Sequence, residues 1–286
     1  MDNVYALKPV NWLKASMMVL IGIINTRFGV GVGRVNTNIF FGMPIFFLVA
    51  ISGMLVVLAL KNVDEDAARR KKTYRKIGIS SAVFFLVAFG LSLFHTFFYN
   101  LDILNVFLLA FLGIFGFVSF YYGKEWDKRG FLANFIIGLS FSFGIIYGAA
   151  LNGIDIPIFI YLFFGAAFLL QFSKDLMNDS KFIERDEREG FKSFAISLGT
   201  RKAMLISLIS EILTILFLVL PIIPGFQGIF NPFLYTIPMI LTVSIIGIAV
   251  VFTALIKEER TYYRIVKIIL RIAMFLLFVV LIFASL

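Results

Sequence analysis

The sequence predicts an all-α membrane protein, a polytopic bundle of about nine transmembrane helices forming a single domain over residues 1–286. Three observations carry this. Sixty per cent of the residues are hydrophobic, which leaves too few polar side chains to build a water-facing surface. The charges gather in a few clusters, and between them run apolar stretches of about 18 residues or more, enough to cross a hydrocarbon core as helices. Helices satisfy their own backbone hydrogen bonds in lipid, and the roughly ten-residue alternation of a membrane barrel is missing.

In order, the spans fall at about 11–31, 39–60, 77–97, 102–123, 131–150, 155–173, 202–222, 233–256 and 264–285. The first apolar run is too long for a secretory signal and lacks a cleavage site, so no cleavable leader is expected. The last contains Arg271 near its start, so that end is expected to project from the membrane. No linker, low-complexity tract or fixed-period repeat interrupts the chain.

Charge sets the expected orientation. The segments Lys61 to Lys76, Lys124 to Arg129, Lys174 to Lys202 and Lys257 to Arg271 follow the second, fourth, sixth and eighth spans, and only Lys8, Lys14, Arg27 and Arg34 lie elsewhere. The positive-inside rule therefore puts these loops and the N-terminus in the cytoplasm of a multi-pass integral cell-membrane protein. The net charge of +9 follows from that bias and from contact with anionic membrane lipids. No nucleic-acid partner is expected, because the basic residues are dispersed among membrane-bounded loops. With no cysteine, disulfides, thiol catalysis and thiolate-bound metals are excluded. The single histidine, His95, is expected at an outer helix end without a catalytic role.

Two of the basic loops are also rich in carboxylates. The first runs from Lys61 to Lys76 and includes Asp64, Glu65 and Asp66; the second runs from Lys174 to Ser193 and includes Asp175, Asp179 and Asp186. If the second continues the sixth helix, spacings of four and seven place its three aspartates on one face. Clustered carboxylates repel unless a cation sits between them, and oxygen donors suit Mg²⁺, which combines protein carboxylates with phosphate oxygens and water. Neighbouring Arg and Lys can take the remaining phosphate charge. A Mg²⁺–diphosphate site is one reading of this pattern; solvated, salt-bridged connectors are the other.

The order of features resembles the UbiA superfamily of intramembrane prenyltransferases, whose members have nine helices and two Asp-rich cytoplasmic motifs. Lys8-Pro9-Val10-Asn11 is similar to the family's opening of helix 1. Asn62 and Asp66 match N-D-x-x-D-x-x-x-D, with Val63 and Arg70 departing from it. Lys72-Thr73-Tyr74-Arg75 resembles the basic segment that follows. Tyr121, Tyr122, Lys128, Gly130 and Asn134 resemble the run after helix 4. Asp179, Asp186, Gly190, Ser193 and Leu198-Gly199 fall in the spacing of the second Asp motif, with Phe182 at its middle position and Asp175 one turn earlier.

The resemblance implies an enzyme that binds a polyprenyl diphosphate, with geranylgeranyl favoured, through Mg²⁺. The metal and cationic residues stabilise the departing diphosphate, and an acceptor captures the allylic cation in a site sheltered from water. It implies Asn62, Asp66, Asp179 and Asp186 as metal ligands, with Asp64 and Asp175 in reserve. Asn11, Asn62, Arg75, Tyr122, Lys128 and Asp175 are implied in substrate binding, and Asp66, Asp179, Asp186, Lys128 and Tyr121 in catalysis. Either tyrosine can stabilise the cation with its π face. The replacements at 63, 70 and 182 leave the number of Mg²⁺ ions open.

The acceptor is either hydrophobic and phosphorylated, as in archaeal-type ether-lipid synthesis, or the ring of a quinone precursor. Lys8 and Lys14, near the cavity mouth, favour the phosphorylated one. No D-G-x-x-A-R run of a CDP-alcohol phosphotransferase occurs. A membrane transporter is the alternative of another class, and Glu211, midway along the seventh span, is the one ionisable group so placed. It is expected to face either the acceptor pocket or a hydrogen-bond partner within the bundle.

Overall fold

A computed structural model describes residues 9–61, 67–99, 101–122, 129–188, 193–223, 232–255 and 260–285. Among them are eleven helices: α1 (Pro9–Asn25), α2 (Val32–Lys61), α3 (Ala67–Phe98), α4 (Leu104–Tyr122), α5 (Arg129–Asn152), α6 (Ile158–Lys181), α7 (Ile183–Arg188), α8 (Phe194–Leu198), α9 (Thr200–Val219), α10 (Pro232–Leu255) and α11 (Arg260–Phe283). No strand occurs among the described residues.

Seven helices are long and apolar enough to cross a membrane, and α1 and α4 add shorter apolar stretches, Trp12–Asn25 and Leu104–Val118. This is the all-α polytopic bundle the sequence predicts. Several helices outrun the apolar spans, α3 beginning at Ala67 and α6 running to Lys181, whereas α1 stops at Asn25, short of the expected residue 31, and α2 already begins at Val32. Hydropathy marks where hydrocarbon ends, whereas backbone hydrogen bonding continues into the polar residues beyond.

The bundle is organised around α5, which packs against α1, α2 and α6. Its membrane window is 78% buried, against 17% for α3 at the periphery. Small residues let α5 meet α1 backbone to backbone. A Cβ on Gly148 would stand 2.1 Å from the Val19 carbonyl oxygen, and one on Gly22 would stand 2.2 Å from that of Ile145. Such close approach stands in for the hydrophobic drive that lipid does not supply between helices.

The end of the bundle away from the basic loops is pinned by asparagines. Asn38 donates to the Leu151 carbonyl and to Asn152 Oδ1, both at 2.9 Å. Asn152 donates to Ile23 O at 2.8 Å, and Asn25 donates to Leu281 O at 2.9 Å, joining α1 to α11. His95, three residues before the end of α3, is buried. Its ring stacks on Phe41 at 4.8 Å, an aromatic neighbour that the position of the helix end did not reveal. Exposed phenylalanines on α3 and α4, including Phe94, Phe97, Phe107 and Phe111, form an apolar flank suited to lipid.

Candidate active site

Helix α5 divides the basic end of the bundle into two sides. Asn134 lies on one; Ile136, Leu139 and Ser140, spaced three and four apart, share the other. On the Asn134 side, Asp179 is 1% exposed. Its Oδ2 accepts a 2.8 Å hydrogen bond from Asn134 Nδ2 and a 3.4 Å bond from the Phe194 backbone N–H. Asp179 thus joins α6 to α5 and to the start of α8. Ser193 caps α8, its hydroxyl accepting from Ile196 N. Gly199, with φ +87°, makes the turn from α8 into α9, a conformation that disfavours any residue with a Cβ. The Ser193 and Leu198-Gly199 positions of the motif therefore hold the backbone that faces Asp179.

The second Asp cluster does not lie on one continuous helix. Helix α6 ends at Lys181, and Phe182 (φ −106°, ψ 16°) carries the break before α7. Asp175 and Asp179 remain on α6, while Asp186 sits on α7. Asp186 is 8% exposed, and its Oδ1 lies 3.3 Å from Arg185 Nη2. Asp175 Oδ2 accepts from Gln171 Nε2 at 2.7 Å. The break places Phe182 among cations. Lys181 Nζ, Arg185 Cζ and Lys267 Nζ stand 4.6, 4.5 and 5.2 Å from its ring centroid, so the residue that replaces a motif carboxylate has become a cation–π platform.

On the other side of α5 lies a cavity of about 680 Å³ bounded by α2, α3, α4 and α5. Val49, Val56, Phe85, Leu112 and Ile136 form its apolar walls, and Tyr74 and Arg75 line its basic end. The lining of α3 runs from Tyr74 to Leu86, about 18 Å at the helical rise. Its volume is typical of a ligand pocket, and its shape, long and apolar with a guanidinium at one end, matches an apolar tail bearing an anionic head.

Asn62, Asp64, Asp66 and Lys128 lie outside the described residues. Asn11 falls in the first turn of α1, and Tyr121 and Tyr122 at the end of α4; their side chains are likewise outside the described set. The structure therefore pairs Asp179 with Asn134, sets Asp175 one turn before it and Asp186 beyond the break, and puts Arg75 across α5. Among the described residues no group of three or more His, Asp or Glu side chains stands together. The donors at the Asp179 side are carboxylate oxygens, without sulfur and without the remote His95, a set that fits a hard divalent cation.

Sequence reasoning noted Asn134 but gave it no task. Gln171, Asn178 and Lys267 were missed; the four-residue step from Gln171 to Asp175 was the available signal. Glu211 is fully buried. Its Oε1 accepts from Ser173, Ser207 and Thr253 at 2.9, 3.1 and 3.3 Å, so it ties α6, α9 and α10 together within the bundle.

A break between α6 and α7, a buried Asp–Asn pair and an apolar cavity with Arg75 at one end mark the basic end of an intramembrane helical bundle. The chain belongs to the UbiA prenyltransferase family, whose sequence profile matches residues 33–279. It is 33% identical over 138 residues to digeranylgeranylglyceryl phosphate synthase of Pyrococcus abyssi, covering 48% of this chain and 49% of that protein. The match to the Pyrococcus horikoshii protein of the same name is 31% over 142 residues, or 49% of this chain and 50% of that one. The chain thus spans about half the length of the curated relatives it matches. In fold it is similar to a solved digeranylgeranylglyceryl phosphate synthase structure, with TM-score 0.66, 18% identity and coverage of 100% of this chain and 99% of that one. It is also similar to a UbiA homologue of Archaeoglobus fulgidus bound to DMAPP and Mg²⁺, with TM-score 0.56, 14% identity and coverage of 98% and 99%.

Proposed function

We propose that this protein transfers a polyprenyl group, geranylgeranyl by preference, from its diphosphate to the hydroxyl of a glyceryl phosphate ether, a step of archaeal-type ether-lipid synthesis. The observation that carries the reading is the 680 Å³ apolar cavity with Arg75 in its lining. Partial sequence identity to two synthases of that name supports the choice of acceptor. In the reaction the allylic C–O bond breaks and its electron pair leaves with the diphosphate. The acceptor oxygen then bonds to the carbon and gives up its proton to the departed diphosphate.

In this reading Asp179 and Asp186, with Asn62 and Asp66 from the first motif, hold Mg²⁺, which when bound neutralises charge on the departing diphosphate. Asp175 supports them. Arg75 and Lys128 would contact diphosphate oxygens, Asn11 and Tyr122 would bind substrate, and Tyr121 or Tyr122 would stabilise the allylic cation with its π face. The cavity walls seat the prenyl tail and keep water from the allylic cation. Asn134 holds Asp179 in position, its amide donating to the carboxylate at 2.8 Å. The N-terminus and the motif-bearing loops face the cytoplasm.

The test supplies purified protein with geranylgeranyl diphosphate, Mg²⁺ and either a glyceryl phosphate ether or an aromatic carboxylic acid. The expected result is diphosphate release that needs both metal and the ether, with a prenylated ether as product. Consumption of the aromatic acid in its place, or no release with either acceptor, overturns the proposal.

A further inference from the structure

Glu211 sits midway along the apolar run Thr200–Ile222, and prenyl transfer gives it no task. Its side chain is 0% exposed. Oε1 meets the hydroxyls of Ser173 on α6, Ser207 on α9 and Thr253 on α10 at 2.9, 3.1 and 3.3 Å. The Ser173 and Ser207 hydroxyls also stand 2.7 Å apart. Oε2 is buried without a hydrogen-bond partner. Among the described residues no basic side chain pairs with Glu211. Helix α10 carries no charged residue, and Arg201 and Lys202 lie at the far start of α9. Lys174 and Asp175, which follow Ser173 on α6, engage Gln171 instead.

Counting hydrogens shows what this cluster lacks. Four oxygen–oxygen contacts among the side chains need four hydrogens, and three hydroxyls supply one each. Beside a bare carboxylate all three hydroxyls donate to Oε1. The close Ser173–Ser207 contact is then left without a hydrogen, and Oε2 holds buried negative charge that nothing answers. A lone ionised carboxylate is among the costliest groups a membrane helix can carry. One added positive charge removes the difficulty. A proton on Oε1 donated to Ser207 lets Ser207 donate to Ser173, and Ser173 back to Oε1, in a closed ring with Thr253 beside it. A sodium ion instead finds a carboxylate and hydroxyls, the oxygen donors that hard cations take. A divalent ion does not suit the site, because a single carboxylate would leave net positive charge buried.

We infer that Glu211, Ser173, Ser207 and Thr253 form a buried site for one monovalent cation, a proton or a sodium ion, at the junction of α6, α9 and α10. The site stands apart from the donors assigned to Mg²⁺ and does not rest on prenyl transfer. It joins the two elements that frame Asp179: α6, which carries Asp179 beyond Ser173, and α9, which follows directly on the Gly199 turn. An occupied site locks these helices together, whereas an empty one sets a bare charge between them.

The test uses the full chain in nanodiscs at neutral pH, in choline, potassium or sodium chloride of equal ionic strength. Infrared difference spectra and thermal unfolding are recorded in each salt. In choline chloride the wild type is expected to show a carboxylic-acid C=O band that Glu211→Gln removes. Glutamine is neutral and of the same shape as the acid, so this variant should fold with a Tm within about 4 °C of wild type. Persistence of the band in sodium chloride identifies the proton as the occupant. Carboxylate bands in its place, with a sodium-specific rise in Tm of about 2 °C or more that Glu211→Gln lacks, identify sodium. Ser207→Ala, which removes one oxygen of the cluster, should shift the acid band or weaken the sodium response. If no acid band is lost in Glu211→Gln and sodium raises Tm no more than choline does, Glu211 is a bare carboxylate and the site is overturned.

Discussion

The side-chain amide of Asn134, on α5, donates a 2.8 Å hydrogen bond to Oδ2 of Asp179, on α6, across 45 residues of sequence. Both groups are buried, so the contact aims the carboxylate and satisfies one of its buried oxygens. Asn134→Leu should therefore lower prenyl transfer by about tenfold to a hundredfold, the cost of a charge-assisted hydrogen bond. The chain should still extract as a folded monodisperse species. Asn134→Asp should be worse, because it sets a second carboxylate against Asp179. Steady-state rates at saturating Mg²⁺ decide it, and a fully active Asn134→Leu would detach this pair from the chemistry.

Asp179 and Asp66 are proposed to serve one metal–diphosphate unit from opposite Asp motifs. Either Asp→Asn change keeps the shape and removes the charge, and each should lower the rate on the order of a hundredfold. The double variant should be scarcely slower than either single one, because partners in one unit are not additive. Fully additive losses in this double-mutant cycle would mean that the two residues act independently.

The cavity makes a prediction about tail length. Gly116 lines it, and a Cβ built there meets no atom within 4 Å. Gly116→Leu therefore grows into open space rather than into a neighbour. It should weaken geranylgeranyl diphosphate about tenfold or more by displacing apolar contacts and leave dimethylallyl diphosphate nearly unaffected. Wild-type protein should also bind the geranylgeranyl compound far more tightly than inorganic diphosphate. Equal affinities in a competition assay would separate the cavity from the tail.

Topology can be read directly in a chain with no native cysteine. Lys76 and Glu187 are exposed beside the two Asp motifs, and Asp155 is exposed in the connection between α5 and α6. Ser180, although close to the second motif, is 2% exposed and unsuitable for labelling. Single cysteines at 76 and 187 should react with an impermeant maleimide from the cytoplasmic side, and a cysteine at 155 from the other. Labelling of 76 and 187 from opposite sides would separate the two motifs.

The helical bundle, the position of its spans and the basic loops were legible in the sequence because partitioning into lipid depends on local composition. A run such as Val32 to Leu58 is apolar whatever it packs against. The motif positions were legible too, as spacing: Ser193 and Gly199 emerge as a helix cap and a positive-φ turn. The break at Phe182 was not, because the spacings of four and seven suit an unbroken helix as well as the 24-residue α6 and six-residue α7 observed. Nor was Asn134 on Asp179, Gly148 against Val19, or Thr253 on Glu211. Each joins residues on different helices, and helices that are apolar on nearly every side carry little periodic signal of which face turns inward. Only the close approach of backbones at small residues and the need to satisfy buried polar groups decide that, and both are properties of the assembled bundle.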